Sequence, residues 1–482
     1  MADTKSSLLK LLADYGAGDV YPFHMPGHKR RLGPQQLQDV ISMDITEIDG
    51  FDNLHDSQGI IRDAQLYAAQ LYHSEDTAFL VNGSSGGLLA AIAGCCKNGG
   101  DIAVARNCHQ SVYHALEMQQ LRPVYIYPHF NVHTGLCEGI YPQDVEKLWI
   151  THPNIQAIVI TSPTYEGIVS DIRKICEIAH THHTPVIVDE AHGAHLTFHD
   201  YFPVSAVDCG ADLVIQSTHK TMPMLTQTAL IHINGPLVDR ERVHRMLRIF
   251  QTSSPSYLLM GSIDAGLKMI AQNRELLFKT YTDRLETLRG SLRQLKYLKL
   301  LDESMLTPGA CAGYDRSKLL IMTGDSVLNG AKLYNLLLHR FHLQMEMVSA
   351  GSVLAMTSIG DDAEGYERLE DALTSIDLGL GKREKSLVFP EIPSAECCMP
   401  IYETTFMGRE AVRLEESSGR ISAAYIYLYP PDIPIVTPGE LLTDEMINIL
   451  SYYIAQGISV KGIWTAADDK MMINIVDDHG SD

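Results

Sequence analysis

The chain has 482 residues, which is long enough for two or three domains and a large buried core. It carries 38 basic and 59 acidic side chains, a formal net charge of −21, so it lacks the basic surface that nucleic-acid-binding proteins need. No stretch approaches the roughly 18 apolar residues of a membrane span, and the first residues lack the apolar core of a signal peptide. The nine cysteines include two adjacent pairs, a poor geometry for disulfides, so we expect reduced thiols in a cytoplasmic protein.

Residues 1–60 are predicted to be an N-terminal segment, with a short amphipathic helix in residues 1–20 and irregular structure in residues 21–60. From residue 61 to 300, short apolar runs alternate with helical periodicity, which indicates βαβ units and a mostly parallel sheet flanked by helices. The predicted strands are Ala78–Val81, Ile102–Ala105, Val124–Ile126, Ile155–Thr161, Val186–Asp189, Leu213–Gln216 and Ala229–Ile233. The predicted helices between them are Gly87–Cys96, Val112–Met118, Asp144–Trp149 and Asp171–His180, and residues 236–300 also have a helical pattern.

The second half of the chain predicts two smaller α/β domains, at residues 301–380 and 381–482. The first contains a predicted strand, Lys318–Met322, and a predicted helix, Asn329–His342. The second contains an aromatic strand, Ala424–Tyr429, and a turn at Pro430-Pro431. The fold class is therefore α/β, and in such folds ligands bind at the carboxyl ends of the parallel strands.

Small and polar residues follow the first two predicted strands. Ser84 and Ser85 lie in a segment rich in glycine and serine just before a helix, where backbone N–H groups and hydroxyls can bind a phosphate. Ser84 could equally be the N-cap of that helix. His109 follows the second strand and could stack on a planar ligand, although a lone histidine is more often structural.

An acidic residue and a lysine end two later strands. Asp189 closes an apolar strand, where a carboxylate is costly without a positive partner. Asp189 could also cap the next segment, or bind a metal together with His192 and His195, but no further ligand lies at metal-binding spacing, so we expect no metal. Lys220 follows the strand Leu213–Gln216, where partial burial would lower its pKa and make it a nucleophile, unless the side chain reaches solvent.

Together these residues fit one ligand, pyridoxal phosphate. A phosphate site, an aromatic side chain, an acid and a lysine all fall at the same edge of the predicted sheet. The serines would bind the phosphate, Lys220 would form an imine with the aldehyde, and Asp189 would pair with the ring nitrogen and keep it protonated.

Several longer motifs resemble the Orn/Lys/Arg decarboxylase family, whose members are pyridoxal-phosphate enzymes of the aspartate-aminotransferase fold (fold-type I). The similarity runs along nearly the whole chain and includes Phe23–Lys29, Asp44–Gly50, Asp189–His195, Ser217–Lys220, Thr252–Tyr257 and Tyr429–Pro434 with Pro438–Glu440. The resemblance implies decarboxylation of a basic L-amino acid in polyamine metabolism, with arginine slightly favoured over lysine and ornithine.

The resemblance also implies a role for each matched residue. Lys220 is the implied Schiff-base lysine, Asp189 the partner of the ring nitrogen, and His109 the residue stacked on the ring. Ser84, Ser85, Ser217 and His219 are implied phosphate ligands, and His192 is expected near the ring. Thr252 would reach a phosphate across the interface of a homodimer, and Glu440 would contact the cationic end of the substrate.

Two departures from the family pattern are visible in the sequence. The first family motif begins at Tyr21, so we expect a short form without the N-terminal wing domain. Gln110 stands where a lysine often follows the stacking histidine. The alternatives are another fold-type I reaction, such as transamination or lyase chemistry, or an inactive paralogue that acts as a binding partner. An aminotransferase would use a C-terminal arginine, for which Arg409, Arg413 and Arg420 are candidates.

Overall fold

The computed structural model describes residues 7–30, 32–384, 388–429 and 432–477. The turn predicted at Pro430-Pro431 lies outside the described residues. The described helices are α1 Leu8–Ala17, α2 Gln38–Met43, α3 Ile60–Leu71, α4 Gly83–Cys95, α5 Gln110–Met118, α6 Pro142–Glu146, α7 Leu148–Thr151, α8 Ile172–Thr181, α9 Thr218–Thr221, α10 Arg240–Phe250, α11 Tyr257–Leu292, α12 Gly330–Phe341, α13 Ala363–Leu378, α14 Ile401–Thr404 and α15 Asp444–Ala455. Within the described ranges, no helix has an apolar stretch long enough to cross a bilayer.

A seven-stranded sheet forms the centre of the molecule. Its strands are β1 Asp76–Leu80, β2 Asp101–Ala105, β3 Arg122–Ile126, β4 Ile155–Thr161, β5 Val186–Asp189, β6 Leu213–Gln216 and β7 Ala229–Ile233. Their order across the sheet is β1-β7-β6-β5-β4-β2-β3, and β7 alone runs against the other six. Six of the seven strands are largely buried, as their continuous apolar runs predicted, whereas the edge strand β3 is partly exposed. The mostly parallel α/β sheet is therefore confirmed.

The register aligns the strand ends that carry the predicted site. Thr161 at the end of β4 pairs with Asp189 at the end of β5, and Asp189 pairs with Ile215 in β6. The chain leaves β1, β2, β4, β5 and β6 at this same edge, because these strands are parallel. Residues far apart in sequence therefore meet at one edge of the sheet.

Residues 21–60, predicted to be irregular, contain the short helix α2, and α5 begins two residues before its predicted start at Val112. Two further helix predictions differ more. The predicted helix Asp144–Trp149 is two short helices, α6 and α7, and α6 begins at Pro142, where the ring of proline is pre-organised for a first turn. Helix α4 begins at Gly83, four residues before the predicted start at Gly87. Glycine has low helix propensity, but packing against the sheet outweighs it here.

Smaller sheets follow in the second half of the chain. Strands β8 Lys299–Leu300, β9 Lys318–Met322, β10 Met347–Val348 and β11 Ser352–Met356 form an antiparallel sheet in the order β8-β9-β11-β10. The last part contains β12 Arg409–Arg413, β13 Ile426–Leu428, β14 Ile433–Val436, β15 Val460–Lys461, β16 Ile463–Thr465 and β17 Met471–Val476, in the sheets β12-β17-β16 and β14-β13-β15. Four two-residue strands, Phe130–Asn131 with Leu136–Cys137 and Ile168–Val169 with Gly313–Tyr314, form two further pairs.

The N-terminal segment packs onto the long helix α11 rather than standing apart. Leu8 and Leu12 of α1 are fully buried, and the Leu8 N–H donates to Asp264 Oδ2 of α11 at 2.7 Å. Across the predicted boundary near 380, Ser326 and Lys382 form a β-bridge. The division into residues 1–60, 61–300, 301–380 and 381–482 therefore stays a prediction.

Candidate active site

A cavity of about 930 Å³ lies at the carboxyl edge of the large sheet. Its lining includes the residues that the sequence assigned to the coenzyme: Ser84, Ser85, His109, Asp189, His192, Ser217, His219 and Lys220. The other two predicted site residues, Thr252 and Glu440, do not line this cavity. Segments that follow five strands thus converge on one cavity, as expected if ligands bind at the carboxyl ends of parallel strands.

The start of α4 has the form of a phosphate site. Asn82, the N-cap residue, makes no side-chain capping bond, and the Ser84 hydroxyl bonds to the Ser217 hydroxyl instead of capping the helix. A Cβ added at Gly87 would lie 2.5 Å from Leu80 Cδ1, so only glycine allows this close approach of helix and sheet. Hydroxyls and the N-terminus of a 13-residue helix therefore face the cavity together, an arrangement that favours an anion.

His109 is the N-cap residue of α5, where its Nδ1 accepts from the Ser111 N–H at 3.2 Å. The same ring lines the cavity, so the capping role of His109 is compatible with stacking on a ligand. Burial, reinforced by the charge of Lys220, lowers the pKa of His109 to about 4. The imidazole is therefore neutral near pH 7 and can lie against a cationic ring without charge repulsion.

Asp189 is only 3% exposed at the end of β5, and its Oδ1 accepts from the Ala191 N–H at 3.2 Å. Burial raises the pKa of this carboxyl, and the charge of Lys220 opposes that rise. A protonated ring nitrogen would be the positive partner that the buried carboxylate needs. Asn107 Oδ1 and Thr161 Oγ1 also line the cavity as buried atoms without a hydrogen-bond partner in the described structure, so the site fits a polar ring.

Lys220 lies in the short helix α9, directly after β6. Its Nζ faces the cavity, 3.1 Å from His192 Nε2 and 5.8 Å from the centre of the Tyr165 ring, and does not extend into bulk solvent. Burial lowers its pKa, although the carboxylate of Asp189 opposes the shift. A lysine with a lowered pKa is more often in the neutral form that attacks an aldehyde.

The proposed metal alternative is not supported by the contacts of its three members. His192 bonds to Lys220, its ring lies 4.4 Å from that of Tyr165, and its Nδ1 has no described partner. His195 is buried elsewhere, with Nε2 3.1 Å from Asp315 Oδ1. Each of the three side chains thus has a different neighbour, and the described residues contain no group of three potential metal ligands.

Thr252 lies outside the cavity of its own chain. Its Oγ1 accepts from the Ser254 N–H at 3.2 Å, and its carbonyl oxygen is 2.7 Å from His55 Nε2. The side chain is exposed, as a residue that reaches into a partner's site would be. Its role across a dimer interface stays a prediction.

The structure places Glu440 outside the coenzyme cavity, and its assignment to the substrate stays a prediction. Glu440 is fully buried, and its carboxylate oxygens lie 3.0 and 3.2 Å from Arg106 Nη2. The Thr437 N–H also donates to Glu440 Oε2 at 2.7 Å. These contacts tie the C-terminal segment to the end of β2 and give the carboxylate a buried counter-charge.

Replacing Glu440 by glutamine is therefore expected to lower stability rather than substrate affinity. The substitution leaves the Arg106 guanidinium buried without its counter-charge, which costs about 3–5 kcal/mol of unfolding free energy. Thermal or denaturant unfolding of the purified protein measures this loss. Glu410→Gln is the control, because its pair with Arg420 is partly exposed and is worth under about 1 kcal/mol. A raised KM with unchanged stability in Glu440→Gln would support direct substrate contact.

Among the cavity residues that the sequence analysis did not assign, Tyr165, Glu346 and Asp432 bear ionisable side chains close to Lys220. Tyr165 follows β4, so the strand-end rule applied to that strand would have found it. Asp432 precedes β14 and lies in the family motif Tyr429–Pro434, which could have indicated it, whereas Glu346 precedes β10 of the small sheet and no local pattern connects it with the large sheet. The arginine candidates for an aminotransferase, Arg409, Arg413 and Arg420, do not line the cavity.

The chain matches known proteins over most of its length. Residues 6–312 match the model of the Orn/Lys/Arg decarboxylase major domain, and residues 400–458 match the model of its C-terminal domain. The chain is 32% identical to an arginine decarboxylase of Bacillus subtilis over 96% of both chains, and 33% identical to one of Halalkalibacterium halodurans over 91% of both.

The fold has a solved counterpart in the lysine decarboxylase of Francisella novicida. The TM-score is 0.83 at 20% identity, covering 98% of this chain and 81% of that one. The fold is thus fold-type I, as the resemblance implied, and pyridoxal phosphate is the cofactor. Taken with the lysine and acid that face one cavity, these matches show that the chain belongs to the Orn/Lys/Arg decarboxylase family and is a pyridoxal-phosphate-dependent amino-acid decarboxylase.

Proposed function

We propose that this enzyme decarboxylates L-arginine in preference to L-lysine and L-ornithine, releasing CO2 and agmatine for polyamine metabolism. The proposal rests on one cavity that is lined by Lys220, Asp189 and further carboxylates. The arginine decarboxylases that match nearly the whole chain support arginine as the substrate. We also propose a cytoplasmic homodimer, in which the exposed Thr252 reaches the partner's site.

Each residue has a separate task in this reaction. Bound pyridoxal phosphate supplies an electron-accepting ring, which takes up the electron pair of the breaking bond between Cα and the carboxylate. Lys220 would supply the amine that holds the coenzyme, and Ser84, Ser85, Ser217 and His219 would hold its phosphate with the N-terminus of α4. Asp189 would keep a proton on the ring nitrogen, and His109 would pack on the ring face. Lys220 and His109 both line the cavity as candidates for returning a proton to Cα.

Product analysis tests the proposal. The purified protein, supplied with pyridoxal phosphate, is incubated separately with L-arginine, L-lysine and L-ornithine, and CO2 and amine are measured by mass spectrometry. We expect agmatine from arginine at the highest kcat/KM. A keto acid or an aldehyde as the product would favour another fold-type I reaction. A protein that binds no coenzyme would favour the inactive-paralogue alternative.

A further inference from the structure

More carboxylate side chains line the cavity than the coenzyme requires. Asp189 and Lys220 are accounted for by the coenzyme, but Glu346 and Asp432 also line the same space. Glu346 comes from the loop between α12 and β10, and Asp432 comes from the loop between β13 and β14. Two carboxylates from separate parts of the chain thus face one ligand site, where a cation would balance their charge.

Tyr165 holds Glu346 at the coenzyme cavity. The Tyr165 hydroxyl donates to Glu346 Oε1, and the Glu346 backbone N–H donates to the Leu354 carbonyl at 2.9 Å. Lys220 Nζ lies 5.8 Å from the centre of the same Tyr165 ring, and Glu346 interacts electrostatically with Lys220. Glu346 and the coenzyme lysine therefore both adjoin Tyr165 in the cavity, and Glu346 Oε2 has no hydrogen bond within the described residues.

Asp432 has a backbone conformation that side chains rarely adopt. Its φ is +62°, in the left-handed region that aspartate and asparagine tolerate better than most residues. Its carbonyl accepts from the Gln110 N–H at 3.1 Å, which fixes this loop to the start of α5 beside His109. Within the described residues, its carboxylate has no hydrogen bond or ion pair, and it interacts electrostatically with Lys220 and Lys461.

We infer that Glu346 and Asp432 bind the cationic end of the substrate side chain, and that Tyr165 positions Glu346 for this contact. The inference rests on the proposed function and adds two acidic residues to Glu440, the residue that the family resemblance gave for this end of the substrate. A guanidinium has five donors in one plane, so it can bond to one carboxylate with two N–H groups and still donate to a second. An ammonium can also donate to two carboxylates, but only through single N–H bonds, so it is the paired contact that favours arginine over lysine.

A neighbouring cavity offers the competing location for the cationic end. It has about 540 Å³, shares Asn107 and Ile433 with the coenzyme cavity, and is lined by Glu391 and Glu445. Glu391→Gln is therefore a matched control for Glu346→Gln, since both remove one carboxylate without a change in size.

The test measures steady-state kinetics of the holoenzyme with L-arginine. Glu346→Gln and Asp432→Asn are each expected to raise KM by at least about tenfold, about 1.4 kcal/mol of binding free energy, with kcat changed far less. Asparagine keeps the left-handed backbone that Asp432 requires. Tyr165→Phe should raise KM less, and its effect should not add to that of Glu346→Gln, because both act on the same carboxylate.

A neutral substrate analogue distinguishes direct binding of the cationic end from a purely structural role, because a structural defect would not change the preference for a charged substrate. L-Citrulline has a urea in place of the guanidinium, so the wild-type preference for arginine over citrulline should shrink in Glu346→Gln and Asp432→Asn. Unchanged KM and preference in these variants, or a larger effect in Glu391→Gln, would overturn the inference while leaving decarboxylation intact. Failure of the proposed function is distinct, since the wild-type enzyme would then produce no amine from any basic amino acid.

Discussion

Replacing Lys220 by alanine is expected to abolish decarboxylation together with the covalent attachment of the coenzyme. The Nζ of Lys220 lies 3.1 Å from His192 Nε2 in the cavity that Asp189 also lines, and burial lowers its pKa toward the nucleophilic neutral form. We expect turnover to fall by at least about three powers of ten, about 4 kcal/mol of activation free energy. Borohydride reduction followed by mass spectrometry should find the coenzyme on the peptide that contains Lys220 in the wild type and on no peptide in the variant.

Lys279→Ala is the control for this experiment. Lys279 lies on the surface of α11, where it pairs with Asp283 in an exposed i,i+4 ion pair. Its loss should leave both turnover and coenzyme attachment unchanged. A Lys220→Ala enzyme that kept both properties would show that another amine holds the coenzyme.

Replacing Asp189 by asparagine is expected to lower kcat by several powers of ten, each worth about 1.4 kcal/mol of barrier. The carboxylate is buried beside Lys220, and asparagine has nearly the same size but cannot hold a proton on the ring nitrogen by charge. The ring would then accept electrons less readily, so the loss should appear in kcat more than in KM. Steady-state kinetics with saturating coenzyme measures both parameters.

Glu190→Gln provides the matched control, because Glu190 is the next residue and is equally buried but faces away from the cavity. Its carboxylate accepts from the Ser205 hydroxyl and the Ala206 N–H, both at 2.7 Å, and from Gln216 Nε2 at 2.6 Å. Burial raises the pKa of Glu190 to about 7. We expect Glu190→Gln to alter stability and to keep kcat within about tenfold. An equal loss of kcat in the two variants would remove Asp189 from its special role.

The residues at the carboxyl ends of the parallel strands could be predicted, because their positions depend only on the short stretch of sequence around each strand. An apolar run followed by Asp189, or by Ser217 and Lys220, is a strand end in this fold class, and every parallel strand delivers its end to the same edge. Four strands, Ile155–Thr161, Val186–Asp189, Leu213–Gln216 and Ala229–Ile233, have the predicted bounds. The start of α4 was less predictable, since close packing at Gly87 outweighs the low helix propensity of glycine.

The sequence by itself determined the sheet, the coenzyme and eight of the side chains that line the cavity, because apolar runs and strand ends can be recognised in short stretches of residues. Only the tertiary structure decided which acidic residues from the second half of the chain reach this cavity. Packing between distant segments pairs Glu440 with Arg106 and brings Glu346 and Asp432 to the cavity instead. An acidic residue looks the same in sequence whether its charge is used by a buried guanidinium or left free for a ligand, and only its neighbours in space distinguish the two.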